Sequence, residues 1–206
     1  MSEEVVIIRT GSANLASVVA AFGRIHCLTR ITQDAATVAS AARVVLPGVG
    51  AFGRAMEQLR ANGLDAALKK RFQAGEATLA ICLGLQLLAE SSEESPGVAG
   101  LGVLPACVAR FPDAERVPQL GWNSVEPDAR CSLLRPGYAY FANAYRLTQC
   151  ASDWSTAISD YGGPFVSAVE RGAVLGCQFH PELSGRWGLD LLRRWVACVP
   201  SRAATC

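Results

Sequence analysis

The sequence predicts an α/β fold, a mostly parallel central sheet with helices on both faces and a smaller antiparallel section in the second half. Three observations lead there. Short apolar runs of strand length recur through the first half, each followed by a stretch of helix length, the pattern of a parallel sheet covered on both sides. Several of these runs are apolar throughout rather than alternating, as strands buried on both faces require. The second half carries shorter strand-like runs joined by turns, which suits antiparallel pairing.

Val5 to Ile8 reads as the first strand, Arg9 to Ala13 as a polar, glycine-containing turn, and Asn14 to Phe22 as a helix closed by Gly23. Arg43 to Leu46 is a second buried strand, entering Pro47-Gly48-Val49-Gly50, and helices follow over Ala51–Ala61 and Leu64–Gln73. Thr78 to Ile81 is a third, running into a helix over Leu83–Ala89. Ser91 to Pro96 reads as a polar loop, followed by strand-like runs at Val103–Phe111, Tyr138–Thr148, Phe165–Glu170 and Ala173–Phe179, the last two joined by a hairpin turn at Arg171-Gly172. Leu189 to Val199 closes the chain as an amphipathic helix. No repeat or long linker divides the sequence, so residues 1–206 are expected to form one domain.

With 206 residues, 50% of them hydrophobic and 18% charged, the chain is long enough to bury a sizeable core. A formal net charge of +1 with both signs scattered gives no electropositive footprint, which argues against nucleic acid or an anionic membrane and for a small neutral or zwitterionic substrate. No apolar run reaches the roughly 18 to 20 residues that span a bilayer. The eight cysteines, at 27, 82, 107, 131, 150, 177, 198 and 206, never form a C-x-x-C pair, and most sit among apolar residues. Neither a metal site nor a disulfide framework is indicated. The chain begins Met-Ser-Glu-Glu rather than with a basic stretch and an apolar run, so a reducing cytoplasm is the expected setting.

Cys82 stands where a buried strand meets a helix, with Ala80 two residues before it and Gly84 two after. A sharp strand-to-helix turn crowds its flanking backbone and needs small side chains there, and it lifts the central residue clear of the sheet as a nucleophile elbow. Free N–H groups at the helix start favour a thiolate and, chiefly at Leu83, an oxyanion. The other reading of Cys82 is a cysteine packed at a strand end. His180-Pro181-Glu182 follows the apolar run ending at Phe179, so the histidine also stands at a strand end. A cysteine nucleophile wants an imidazole within reach, and the imidazole wants a carboxylate to fix its tautomer. Pro181 fixes φ between them. The second histidine, His26, has no such partner nearby and is read as structural.

With these residues in place, the chain resembles the class I (triad) glutamine amidotransferases nearly end to end. The resemblance is carried by Ile7-Ile8 through Gly11, Asn14-Leu15, Ser17-Val18, Leu46 through Phe52, Cys82-Leu83-Gly84-Leu85-Gln86-Leu87-Leu88, Leu120-Gly121-Trp122-Asn123, Tyr140-Phe141 and Gln178-Phe179-His180-Pro181-Glu182. The cysteine elbow and His-Pro-Glu belong to the whole class. Pro-Gly-Val-Gly and Gly-Trp-Asn make the chain similar, within it, to the glutaminase subunits of imidazole glycerol phosphate synthase.

The resemblance implies that Cys82 attacks the side-chain amide of glutamine, that His180, oriented by Glu182, protonates the departing ammonia, and that water releases glutamate from the thioester. It implies a second oxyanion donor from the backbone near Val49 and Gly50, facing that of Leu83. Gln86, with the backbone of Asn143, Ala144 and Tyr145, would hold the amino-acid end of the substrate. The implied partner is a (β/α)8-barrel cyclase, joined as a heterodimer, that receives the ammonia in histidine biosynthesis. Asn14, Trp122 and Tyr140 would face the barrel and the ammonia passage; as bare features they read as a helix cap and two core aromatics. No cofactor is implied. Two other readings stay open: a triad glutaminase feeding another synthase, such as one of surface-sugar amination, and a catalytically silent regulatory subunit. Arg9-Thr10-Gly11, Ala16, Asn143-Ala144 and Leu183 depart from the family's usual Asp-Tyr-Gly, arginine, His-Ser/Thr-Tyr and lysine, and are expected on the face that touches partner or substrate.

Overall fold

The computed structural model describes residues 3–10, 14–113 and 115–198. The expectations for Gly11 to Ala13, for Val199 at the end of the last helix and for Cys206 fall outside them. The first half runs β1 (Glu4–Ile8), α1 (Leu15–Arg24), β2 (Leu28–Thr32), α2 (Ala35–Ser40), β3 (Val44–Gly48), α3 (Phe52–Ala61), α4 (Leu64–Gln73) and β4 (Thr78–Cys82). The second half runs α5 (Leu83–Gln86), β5 (Ala89–Ser92), β6 (Leu104–Arg110), β7 (Gln119–Pro127), β8 (Gly137–Asn143), β9 (Tyr145–Leu147), β10 (Ser155–Asp160), β11 (Pro164–Arg171), β12 (Val174–Cys177), a 3-10 turn at Pro181–Leu183 and α6 (Gly185–Ala197).

The sheet order is β2-β1-β3-β4-β12-β11-β10-β7-β8. Strands β2 through β12 in that order are parallel, and from β12 onward the pairs are antiparallel. A short branch, β5-β6-β9, joins through β9 to β11. Period-two alternation buries both faces of the parallel part. Val6, Ile8, Val44, Leu46 and Ala80 pack under α3 and α4 with Phe52, Met56, Leu59, Leu68 and Phe72. Val5, Ile7, Val45, Leu79 and Ile81 pack on the other side under α1 and α6 with Phe22, Leu191, Leu192 and Trp195.

Several boundaries differ from the sequence reading. The helix expected over Leu83–Ala89 ends at Gln86, and Ala89 opens β5. Leu87 and Leu88 are fully buried, and their carbonyls accept the N–H groups of Leu101, Val103 and Leu104, so no solvent face is left for another helical turn. The loop expected at Ser91–Pro96 begins inside β5, where Ser91 and Ser92 pair with Cys107 and Val108. Tyr138–Thr148 is two strands that part at Ala144. β2, α2, β7 and β10 carried no readable pattern; β2, for example, is an edge strand whose residues are all at least partly exposed. α1 runs past Gly23 to Arg24, and its end is closed by His26 at φ 62°, with Cys27 N–H donating to the Phe22 carbonyl and His26 N–H to that of Gly23. That is a Schellman closure, the structural role expected of His26. Cys107 and Cys198 are exposed rather than packed.

Candidate active site

β3, β4 and β12 lie side by side and parallel, so their carboxyl ends share one edge, where ligands gather in such sheets. Gly48 is in register with Cys82, and Cys177 with Ile81, so Gln178 follows alongside Cys82. Cys82 has φ 54° and ψ −111°, a sparsely populated conformation for a non-glycine residue that marks a functional turn. The turn fits only because its neighbours are small. A Cβ on Gly84 would lie 2.2 Å from the Leu46 carbonyl oxygen, and one on Gly48 would lie 2.8 Å from Cβ of Leu83. The loop after β3 is thereby pressed against the start of α5. Leu83, first residue of that helix, has an N–H with no partner inside it.

His180 is buried and its Nδ1 lies 2.8 Å from Oε1 of Glu182. The Cys82 side chain lies close enough to act on the charge of the ring, and Nε2 is the ring nitrogen that Glu182 leaves unengaged. Burial alone would lower the His180 pKa; the hydrogen bonds and negative charges of Cys82 and Glu182 outweigh it and raise the pKa to about 10. The arrangement therefore favours the imidazolium form of His180. Elsewhere burial opposes the thiolate, pushing Cys131 up to about 12 and Cys150 to about 11.

A cavity of about 230 Å³ opens over Cys82, lined by Val49, Gly50, Leu83, Gln86, Asn143, Ala144 and Tyr145 together with Glu94, Pro118 and Ala142. The nucleophile, the two oxyanion segments and the substrate segment expected from sequence thus meet in one place. Gln86 is buried, and its Nε2 donates to the Tyr145 carbonyl and to Oε1 of Gln178, each at 3.0 Å. Val49 and Gly50 also line a second cavity of about 420 Å³ with Thr10, Arg54 and Gln58.

Trp122 is 59% exposed and Tyr140 half-buried, and their rings meet edge to face at 6.2 Å. Neither is the core aromatic that its bare sequence context suggests. Asn14 is exposed and caps α1, accepting the Ser17 N–H at 3.4 Å. The departures from the family pattern divide between the exterior and the cavities, where Asn143 and Ala144 line the one over Cys82 and Thr10 the other. Ala16, Arg9 and Leu183 (41%) are exposed, whereas Thr10 is buried and donates to the Pro47 carbonyl at 2.7 Å. Asn143 is also buried, its Nδ2 donating to the Tyr145 carbonyl at 3.0 Å. Thr10 thus braces the loop after β3, and Asn143 the main chain at Tyr145, from inside.

Sequence reasoning missed four contributors. Gln178 is fully buried with Nε2 3.7 Å from the Cys82 sulfur; the period of two from His180, with Phe179 pointing to the core between them, was the available signal. Ser184 ties the His180 turn to β8: its hydroxyl donates to the His180 carbonyl at 2.6 Å and accepts the Tyr140 N–H at 3.0 Å, while the His180 N–H donates to the Tyr140 carbonyl at 2.9 Å. Glu94 accepts the Phe52 N–H at 2.6 Å, and Ser95 that of Gly53 at 3.0 Å. They cap α3, whose own N-cap residue, Ala51, has no side chain to do it. No cluster of three or more metal-ligating side chains occurs among the described residues, and no helix there is long and apolar enough to cross a membrane.

Residues 7–197 match the family described as glutamine amidotransferase class-I. The chain is 44% identical over 199 residues to the imidazole glycerol phosphate synthase subunit HisH of Symbiobacterium thermophilum, covering 95% of this chain and 94% of that one. It is 40% identical to the subunit of the same name from Methanothermobacter thermautotrophicus, covering 95% and 98%. Among solved structures, a glutamine amidotransferase superposes with a TM-score of 0.76 at 21% identity, covering 94% of this chain and 98% of the other, a likeness of fold.

Proposed function

The chain belongs to the class-I glutamine amidotransferases and, within them, to the imidazole glycerol phosphate synthase subunits HisH, and on that premise we propose how its residues divide the work. It is the glutaminase subunit of that synthase, an enzyme of histidine biosynthesis. Cys82, His180 and Glu182 are its catalytic residues. The thiolate of Cys82 attacks the carboxamide carbon of glutamine: the S–C bond forms and the carbonyl electron pair moves onto oxygen, held by the backbone N–H of Leu83 and one near Val49 or Gly50. His180 gives its proton to the amide nitrogen, the C–N bond breaks and ammonia leaves. His180 then takes a proton from water as it attacks the thioester carbon, the C–S bond breaks, and glutamate leaves with the Cys82 thiolate restored. Both N–H groups of Gln86 are held inside the protein, so its Oε1 is the atom that accepts from the substrate's ammonium group.

The acceptor of the ammonia is a (β/α)8-barrel cyclase bound as a heterodimer in the cytoplasm, and the exposed Trp122 with Tyr140 and Asn14 face it. The single observation that supports the mechanism is the shared edge of β3, β4 and β12, which sets Gly48 in register with Cys82 and runs β12 toward His180 alongside it, with Cys82 and the loop residues Val49 and Gly50 lining one cavity. The test is glutamate release by Cys82→Ala, purified with the barrel subunit encoded in the same genome and assayed with that subunit's ligand. Co-purification with loss of activity of at least about 10³-fold is expected. Unchanged release would refute the mechanism, and failure of the two chains to associate would refute the partner.

A further inference from the structure

The side chain of Gln178 is fully buried and touches two parts of the site at once: Nε2 lies 3.7 Å from the Cys82 sulfur, and Oε1 accepts from Gln86. Which way a buried amide faces is fixed by its partners, because a reversed amide would set like against like. Here the order can be read from a group that cannot flip. The main-chain carbonyl of Tyr145 accepts from Nε2 of Gln86 at 3.0 Å, so Gln86 must present its nitrogen to that side. The second N–H of that nitrogen points at Gln178, 3.0 Å away, so Gln178 must present its oxygen. Its nitrogen is thereby turned to Cys82.

We propose that Gln178 is a further catalytic residue, donating an N–H to the Cys82 thiolate, and that its orientation is set by the substrate segment through Tyr145 and Gln86. This rests on the reading of Cys82 as nucleophile. A hydrogen bond to a charged acceptor stabilises the charged form, so Gln178 raises the fraction of Cys82 present as thiolate. Imidazolium alone does not account for the setting of the sulfur, because the Ala142 carbonyl also faces it at 3.9 Å and suits a thiol donor, not a thiolate. Gln178 supplies the opposing preference. Deprotonation exchanges the weak bond to the Ala142 carbonyl for one from Gln178, and the proton goes to His180.

Two near-isosteric variants separate the two contacts. Gln178→Glu keeps an acceptor for Gln86 but turns an oxygen toward the sulfur; Gln178→Met keeps the volume and removes both contacts. The readout is the rate of Cys82 alkylation by iodoacetamide against pH, followed by mass spectrometry of the peptide that contains Cys82, alongside glutamine KM for the assembled synthase. In both variants the alkylation rate at pH 7 is expected to fall about tenfold; KM is expected to change little in Gln178→Glu and to rise several-fold in Gln178→Met. An alkylation profile unchanged in both folded variants overturns the proposal, and Gln178→Met decides alone if the added charge keeps Gln178→Glu from folding. The wild-type protein separates this from the underlying reading: if full alkylation of Cys82 leaves glutamate release intact, the assignment of the nucleophile fails, whatever the variants do.

Discussion

Replacing Glu182 with glutamine keeps the shape of the side chain and removes its charge. Oε1 of Glu182 lies 2.8 Å from Nδ1 of His180, both side chains are more than nine-tenths buried, and Oε2 has no hydrogen-bond partner of its own. The carboxylate therefore depends largely on His180. A glutamine that keeps its oxygen on Nδ1 buries an N–H2 where Oε2 sat, without an acceptor; turned over, it sets N–H against N–H. Losing one hydrogen bond to a charged group is worth about 1.5–3 kcal/mol, which at 1.36 kcal/mol per unit is about one to two pKa units. His180, raised to about 10 in the wild type with Glu182 among the causes, should titrate lower by that amount in Glu182→Gln. The same free energy acting on a transition state that carries the imidazolium slows turnover by about 10- to 150-fold. Proton NMR of the imidazole signals reads the first effect, and the chain holds only His26 and His180, so assignment is direct. Glutamate release by the assembled synthase reads the second. An imidazole that still titrates near the wild-type value, or turnover within about twofold of wild type, would refute the reasoning.

Two further outcomes test the frame around the site. Gly84→Ala places a Cβ 2.2 Å from the Leu46 carbonyl oxygen; backbone must shift, with an expected cost of about 1–3 kcal/mol, seen as a lower thermal midpoint together with reduced glutamate release. Glu170 is buried and accepts the N–H groups of Ser132, Leu133 and Leu134 and the Ser132 hydroxyl, at 2.6 to 3.2 Å. Glu170→Gln should destabilise by about 2–4 kcal/mol in urea unfolding, since at least one of these donors loses its acceptor, and a midpoint shift corresponding to less than about 0.5 kcal/mol would count against it.

Local features of the sequence carried much of the architecture. β1, β3 and β4 were legible because strands buried on both faces are apolar without interruption, and α3, α4 and α6 because their apolar faces repeat at helical spacing. The elbow was legible from the size of its neighbours, Ala80 and Gly84, which stand two residues either side of Cys82, although the group that crowds Gly84 is the Leu46 carbonyl on β3. The edge strand β2 was not, since an exposed edge has no buried face to write an apolar pattern. Nor was the early end of α5, because what stops it is a loop from residues 100–104 that claims the carbonyls of Leu87 and Leu88.

The sequence by itself determined the family and, through that resemblance, the reaction, and it offered a cysteine at a cramped turn, a histidine at a strand end and a glutamate two residues on as the set proposed to carry it. Only the tertiary structure decided how they act together. The register of Gly48 with Cys82 and of Cys177 with Ile81 sets the sulfur beside the amide of Gln178, and joins that amide to the main chain at Tyr145 through Gln86. It also set Thr10 and Asn143, sequence departures expected toward partner or substrate, as buried hydrogen-bonding residues at the cavities that Val49 and Gly50 line. The physical reason is separation along the chain: a side chain's type is local, whereas its hydrogen-bond partners, 37 residues away for Thr10 and 96 for Cys82 and Gln178, are chosen by strand order.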